Sequence, residues 1–225
     1  MAEQKILFMK RFVLGPWETN CYVVHPIGSS TGECWIIDAG FQPEVMIAWI
    51  KGSGLTPARI ILTHGHADHI AGIPEIRGAF GGEIPVAIHR AEAEFLTNPT
   101  LNLSAMAGFD LQVGEADEFL EGGSDLEFEG LTFDILFTPG HSPGGVSFYE
   151  KEAGVVFAGD TLFAGSIGRF DFPTSNGPLL LKSIHEKLFV IPDATIVYPG
   201  HGPETTIGYE VHTNPFVGEN AEVSI

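Results

Sequence analysis

Seven side chains able to hold a metal ion or move a proton stand at the ends of apolar runs in this sequence. Four of them share one stretch, Thr63-His64-Gly65-His66-Ala67-Asp68-His69, directly behind Ile60-Ile61-Leu62. Imidazole nitrogen and carboxylate oxygen are donors that zinc and similar divalent ions take, and three imidazoles this close have little use as packing. His64, His66 and Asp68 lie two apart, so in extended chain or a tight loop they project to one side, whereas a helix would splay them around its cylinder. His69, next to Asp68, then faces a different point. One strand-end loop therefore offers donors to two neighbouring positions.

Three further donors follow other apolar runs. His141 closes Thr138-Pro139-Gly140-His141, and His201 closes its near copy Tyr198-Pro199-Gly200-His201. In each, a Pro-Gly pair is expected to turn the chain and present the histidine where a strand ends. Asp160, in Ala158-Gly159-Asp160-Thr161, is placed in the same way. Five imidazoles and two carboxylates exceed the four ligands of a structural zinc, and this excess points to a two-metal centre. Asp38, in Asp38-Ala39-Gly40, is read as support for a ligand, with Gly40 allowing a sharp exit from its strand. His25, His89, His185 and His212 have no neighbouring donors and are read as ordinary hydrogen-bonded positions.

The elements that must position these donors follow from periodicity. Strands are expected over 6–13, 19–25, 33–38, 59–62 and 85–89, with 19–25 and 33–38 forming a hairpin around the turn-rich 26–32. Helices are expected over 43–50, where Val45, Met46, Trp49 and Ile50 share a face, and over 70–80, ended by Gly81-Gly82. Strand, helix, strand in this order implies an α/β layer arrangement. Residues 90–123 show only a short helical pattern at 91–96 and either fold over a site or connect. Strands over 126–128, 131–137, 146–149 and 155–158, a helix over 179–188 and a strand over 195–198 complete the pattern.

Composition narrows the partners. The chain has 225 residues with a formal net charge of -18, from 29 acidic against 11 basic side chains, which argues against nucleic acid because phosphate binding needs a basic surface. A small anion stays possible, since bound dications reverse the local field. Cys21 and Cys34 form no disulfide framework and are read as free, half-buried thiols in a reducing compartment. Lys5, Lys10 and Arg11 interrupt the first apolar stretch, and no segment is long enough to span a membrane, so the expectation is a cytoplasmic protein with no membrane partner. Oligomeric state is not legible.

The histidine stretch, with His141, Asp160 and His201 following in order and Asp38-Ala39-Gly40 before it, resembles the metallo-β-lactamase superfamily over nearly the whole chain. Asn20-Cys21-Tyr22, Gly159-Asp160-Thr161-Leu162-Phe163 and Pro199-Gly200-His201-Gly202-Pro203-Glu204-Thr205 are most similar to the glyoxalase II, or hydroxyacylglutathione hydrolase, group and its short bacterial relatives. The resemblance implies an α/β fold, a four-layer αβ/βα sandwich of two mixed sheets flanked by helices. It implies two divalent metal ions, with zinc as the first expectation and iron or manganese as alternatives. His64, His66 and His141 would hold the first ion, Asp68, His69 and His201 the second, and Asp160 would bridge them.

The reaction implied is hydrolysis of a small thioester or related acyl compound. Two dications acidify a shared water, the hydroxide attacks the carbonyl, and Asp68 orients the nucleophile and takes its proton. A thiolate, with a thiol pKa of about 8.5, leaves with little acid assistance. Gly168-Arg169-Phe170-Asp171-Phe172-Pro173 resembles the segment where glyoxalase II places a basic residue near glutathione, which makes Arg169 a substrate-binding candidate; the alternative is an Arg169–Asp171 ion pair. Trp17 is either a lid aromatic or a packed loop residue. Length and the lack of any composition shift or linker predict a single domain over 1–225; with the chain ending soon after His201 and no Lys or Arg after Lys187, the C-terminal helical region that grips glutathione in full-length glyoxalase II is expected to be missing. A mononuclear iron persulfide dioxygenase using His64, His141 and Asp160 is the runner-up, ahead of a nuclease or a non-catalytic binding protein.

Overall fold

The computed structural model describes residues 6–221; Lys5, one of the basic residues read as breaking a leader, lies outside them. The described chain divides into two compact units. One runs to Leu120 and includes Leu126–Thr132, and the other takes Glu121–Asp125 and Phe133 onward.

The first unit is built on a mixed sheet of six strands in sequence order. β1 (Leu7–Leu14), β2 (Thr19–Pro26) and β3 (Glu33–Ile37) pair antiparallel. β4 (Thr56–Ile61), β5 (Val86–His89) and β6 (Glu118–Leu120) then add in parallel. Cys34 to Ile37 are all buried, the continuous apolar run expected of a strand covered on both faces. Helix α1 (Glu44–Gly52) buries Met46 and Ile50 against Ile36 and Ile60, and Trp49 stacks on Phe8. Each such fully buried aliphatic side chain stabilises the fold by about 1.5–3 kcal/mol relative to exposure.

The helix expected over 70–80 is two helices, α2 (Ala67–Ile70) and α3 (Ile73–Phe80). The break falls at Gly72, whose N–H donates to the Ala39 carbonyl and whose missing Cβ would lie 2.3 Å from the Gly40 oxygen. The chain between the helices is therefore held against the Asp38-Ala39-Gly40 turn. Within that turn the left-handed residue is Asp38, with φ of 60°, and Gly40 is needed for space, because a Cβ there would crowd Leu14, the Asp68 carbonyl and Cys21. This corrects the expectation that Gly40 supplies the bend.

Residues 90–123 buttress the histidine loop from behind. A 3₁₀ helix at Arg90–Leu96 buries Glu92, and the Asn102 carbonyl accepts the Ala67 N–H.

A further mixed sheet has the order β14-β13-β10-β9-β8-β7, comprising β7 (Asp125–Phe128), β8 (Leu131–Phe137), β9 (Val146–Glu150), β10 (Val155–Gly159), β13 (Ile196–Pro199) and β14 (Thr205–Thr206). β11 (Leu162–Phe163) and β12 (Ser166–Ile167) form a separate hairpin. Helix α4 (Gly177–Ser183) passes into a π turn at Ile184–Leu188, and its Leu180, with Ile184 and Leu188, packs on Val156, Ala158 and Val197. Helix α5 (Ile207–Thr213) completes the described fold. Among the described residues no helix is long and apolar enough to cross a membrane.

Candidate metal centre

In the first unit β4 delivers Thr63 and the histidines, and the buried carboxylate of Asp38 organises them. Asp38 Oδ1 accepts the Thr63 N–H at 2.8 Å, and Oδ2 accepts both the Thr63 hydroxyl at 2.8 Å and His69 Nδ1 at 2.9 Å. A carboxylate accepts, so Nδ1 of His69 carries the proton and Nε2 presents its lone pair. The same logic reaches His64 through Thr63. The Thr63 hydroxyl proton is committed to Asp38, so its oxygen accepts His64 Nδ1 at 3.1 Å and His64 also presents Nε2. The three rings pack together, His64 lying 4.7 Å from His66 and 4.1 Å from His69 between centroids. Asp38 thus orients the His69 ring directly and the His64 ring through Thr63.

His64 precedes α2, and His66, its N-cap, has extended backbone, whereas Asp68 and His69 lie in the helix itself. The expected single row of His64, His66 and Asp68 is therefore broken by the helical turn. Asp68 Oδ2 accepts the Thr19 hydroxyl at 3.2 Å and faces His69 Nε2 at 3.6 Å. Buried Glu92, which the sequence reading missed, accepts the Gly65 N–H and fixes the loop between the two histidines.

In the second unit Asp160 is the hub. Its Oδ2 lies 3.5 Å from His141 Nε2 and 3.6 Å from His201 Nε2. His141 Nδ1 donates to the Arg169 carbonyl at 2.8 Å, so this ring too presents Nε2. The two Pro-Gly-His turns differ in conformation. Gly140 has φ of 141° and packs flush on Leu180 of α4, while Gly200 continues from β13 and donates its N–H to the Gly159 carbonyl. His141 is thus presented by a true turn and His201 by a strand extension.

The donor chemistry fits divalent metal. Separations of 3.5 and 3.6 Å are too long for hydrogen bonds. They are close to the edge of a tetrahedron with metal–donor bonds of about 2.0–2.1 Å, roughly 3.4 Å.

The remaining sites follow their simpler readings. Arg169 forms a bidentate pair with Asp171 at 2.9 Å, exposed, with its guanidinium over Phe172. This pairing raises the Arg169 pKa and lowers that of Asp171, through the hydrogen bond first. His89 caps the 3₁₀ helix, His25 contacts the Pro26 carbonyl, His185 lies between the Leu181 and Val217 carbonyls, and His212 pairs with Glu219. Trp17 stacks loosely with Phe41 and Phe109 on a half-exposed surface.

Cys21 and Cys34 are free and fully buried, more so than expected. Burial pushes the Cys21 thiol well up, with the Asp38 and Asp68 charges adding to it, and pushes Cys34 up to about 12. Neither thiol is therefore expected to react with Ellman's reagent in the native protein at mildly alkaline pH, and both are expected to react after unfolding. Rapid native labelling would contradict this burial.

The chain belongs to the Metallo-beta-lactamase superfamily, whose profile matches residues 14–201. It is 42% identical to the "Probable metallo-hydrolase YqgX" of Bacillus subtilis strain 168 over 92% of this chain and 96% of that protein. It is 36% identical to the "Hydroxyacylglutathione hydrolase GloC" of Haemophilus influenzae, over 83% of this chain and 88% of that one. Among solved structures it matches the BLEG-1 B3 metallo-beta-lactamase with 42% identity and a TM-score of 0.87, over 93% of this chain and 99% of that one. TTHA1623 in a di-iron-bound form matches with 36% identity and a TM-score of 0.79, over 92% and 99%. The family and the fold class expected from the histidine motifs are those found.

Proposed function

We propose that this protein is a dinuclear metal-dependent hydrolase of a small thioester or related acyl substrate, similar to glyoxalase II. The observation that carries the reading is a donor set of five imidazoles and two carboxylates, more than one ion can take, with the Nδ1 atoms of His64, His69 and His141 engaged so that Nε2 is offered. As the resemblance to glyoxalase II implies, His64, His66 and His141 would hold one ion and Asp68, His69 and His201 the other, with Asp160 shared. When bound, such ions supply an acidified water and Lewis-acid polarisation of a carbonyl. Zinc suits these nitrogen and oxygen donors, and the di-iron form of TTHA1623 supports iron as an alternative.

The chain's own residues do the rest. Asp38 and Thr63 hold the tautomers of His69 and His64, and Glu92 fixes the loop that carries His64 and His66. Asp68 orients the nucleophile and receives its proton, with Thr19 steadying one of its oxygens. A thioester suits this site because a thiolate, with a thiol pKa of about 8.5, leaves without a dedicated acid. The likeness to GloC supports a glutathione thioester. Arg169, released from Asp171, is the group proposed to meet the substrate's carboxylate. The charge of -18 supports a small molecule over nucleic acid as partner, and the two buried free thiols support a reducing, cytoplasmic setting.

Elemental analysis paired with turnover of S-lactoylglutathione tests the reading. About two ions per chain and metal-dependent hydrolysis are expected, and Arg169→Ala is expected to raise KM several-fold with kcat little changed. Full activity after metal removal would end the proposal. One iron per chain with oxygen uptake on glutathione persulfide would replace it with a dioxygenase.

A further inference from the structure

Glu210 is fully buried in α5, within a unit whose donors are His141, Asp160 and His201. Three donors converge on its carboxylate. Oε1 accepts the Thr205 hydroxyl at 2.6 Å, and Oε2 accepts the Gly165 N–H at 2.9 Å and Asn214 Nδ2 at 2.7 Å. Asn214 Nδ2 also donates to the Ser166 carbonyl at 3.0 Å. These contacts join two segments that carry metal donors. Thr205 ends the segment that leaves His201, while Gly165 lies in the turn of the β11–β12 hairpin and Ser166 begins β12, the hairpin following Asp160. Phe163 of that hairpin sets its ring edge-on to the His201 ring, with centroids 6.2 Å apart and planes at 86°. At the other end of the same two segments, Gly200 N–H donates to the Gly159 carbonyl. His201 is only intermediate in burial and follows a strand extension, so its ring direction depends on what packs beside it.

We infer that Glu210 is a positioning residue for His201: by clamping the β11–β12 turn to Thr205 it holds Phe163 against the imidazole and keeps Nε2 directed at Asp160. This rests on the metallohydrolase reading, and it adds that the ion held by His201 depends on a carboxylate that touches neither metal nor substrate.

The test compares parent, Glu210→Ala, Glu210→Gln and Thr205→Val proteins loaded with zinc and titrated with a chromophoric chelator. Two ions on the parent establish the underlying reading; a parent that binds none removes that reading and this inference with it. Glu210→Ala is expected to release one ion about tenfold more readily, at the low end of losses for outer contacts of a metal ligand, and to hold the other as the parent does. Glu210→Gln is expected to restore parent behaviour, because its oxygen accepts from Gly165 and Asn214 while its amide donates to the Thr205 hydroxyl. Thr205→Val removes one hydrogen bond and is expected to weaken the same ion by a smaller factor. If Glu210→Ala does not fold, the Thr205→Val shift decides. Unchanged retention of both ions in the folded variants, or parallel loss of both with a matching fall in the melting temperature of the metal-free protein, overturns the inference.

Discussion

Asp160→Ala is expected to reduce metal content from two ions per chain to one or none and to lower thioester hydrolysis by at least about 100-fold, since even outer contacts of metal ligands cost up to that factor. The effect follows from one oxygen serving two imidazoles, with Oδ2 at 3.5 Å from His141 Nε2 and 3.6 Å from His201 Nε2. If both histidines hold metal as proposed, removing it would leave each without the carboxylate they share. A 100-fold loss corresponds to about 2.7 kcal/mol of transition-state stabilisation. Elemental analysis and kcat/KM measured on the same sample check it. A variant that keeps both ions and most of its activity would show that Asp160 is not a shared ligand.

Asp38→Asn is expected to have the second largest effect, through a proton. Asparagine tolerates the left-handed backbone at this position, where φ is 60°, and nearly reproduces the side chain's shape. Its oxygen can still accept the Thr63 N–H, which places the amide nitrogen towards the Thr63 hydroxyl and His69 Nδ1. His69 Nδ1 must then accept, its proton moves to Nε2, and the atom proposed to face metal is blocked. The expected result is loss of the ion held by His69, by about 10- to 100-fold in affinity, with little change in melting temperature. Asp38→Ala should instead destabilise the fold, because three buried donors lose their acceptor at about 1–3 kcal/mol each. Chelator titration and denaturant midpoints separate the two variants. Equal metal affinity in Asp38→Asn and parent would refute the tautomer argument.

Most strands and the seven donors were legible because their signals are local. An apolar run, a following turn and the spacing of histidines lie within a few residues of one another. The strands β11, β12 and β14 escaped because two residues carry no periodicity, and β6 escaped because three residues among acidic neighbours do not look like a strand. The break between α2 and α3 could not be read because its cause, the Ala39 carbonyl, sits far back in the chain. Glu92 and Glu210 carry no local signal that sets them apart from the other glutamates, which are mostly exposed. Their donors include the Gly65 and Gly165 amides, 27 and 45 positions away.

By itself, then, the sequence determined which side chains could hold metal and how many there are, and that they follow apolar runs, since residue type and short spacing suffice for that. Tertiary structure alone decided which nitrogen His64, His69 and His141 offer, that Asp68 and His69 begin a helical turn, that one oxygen of Asp160 faces two imidazoles, and that Arg169 meets Asp171. The reason is directional. A hydrogen bond or a coordination edge depends on where a partner's lone pair points, and for most of these groups the partner comes from a distant part of the chain.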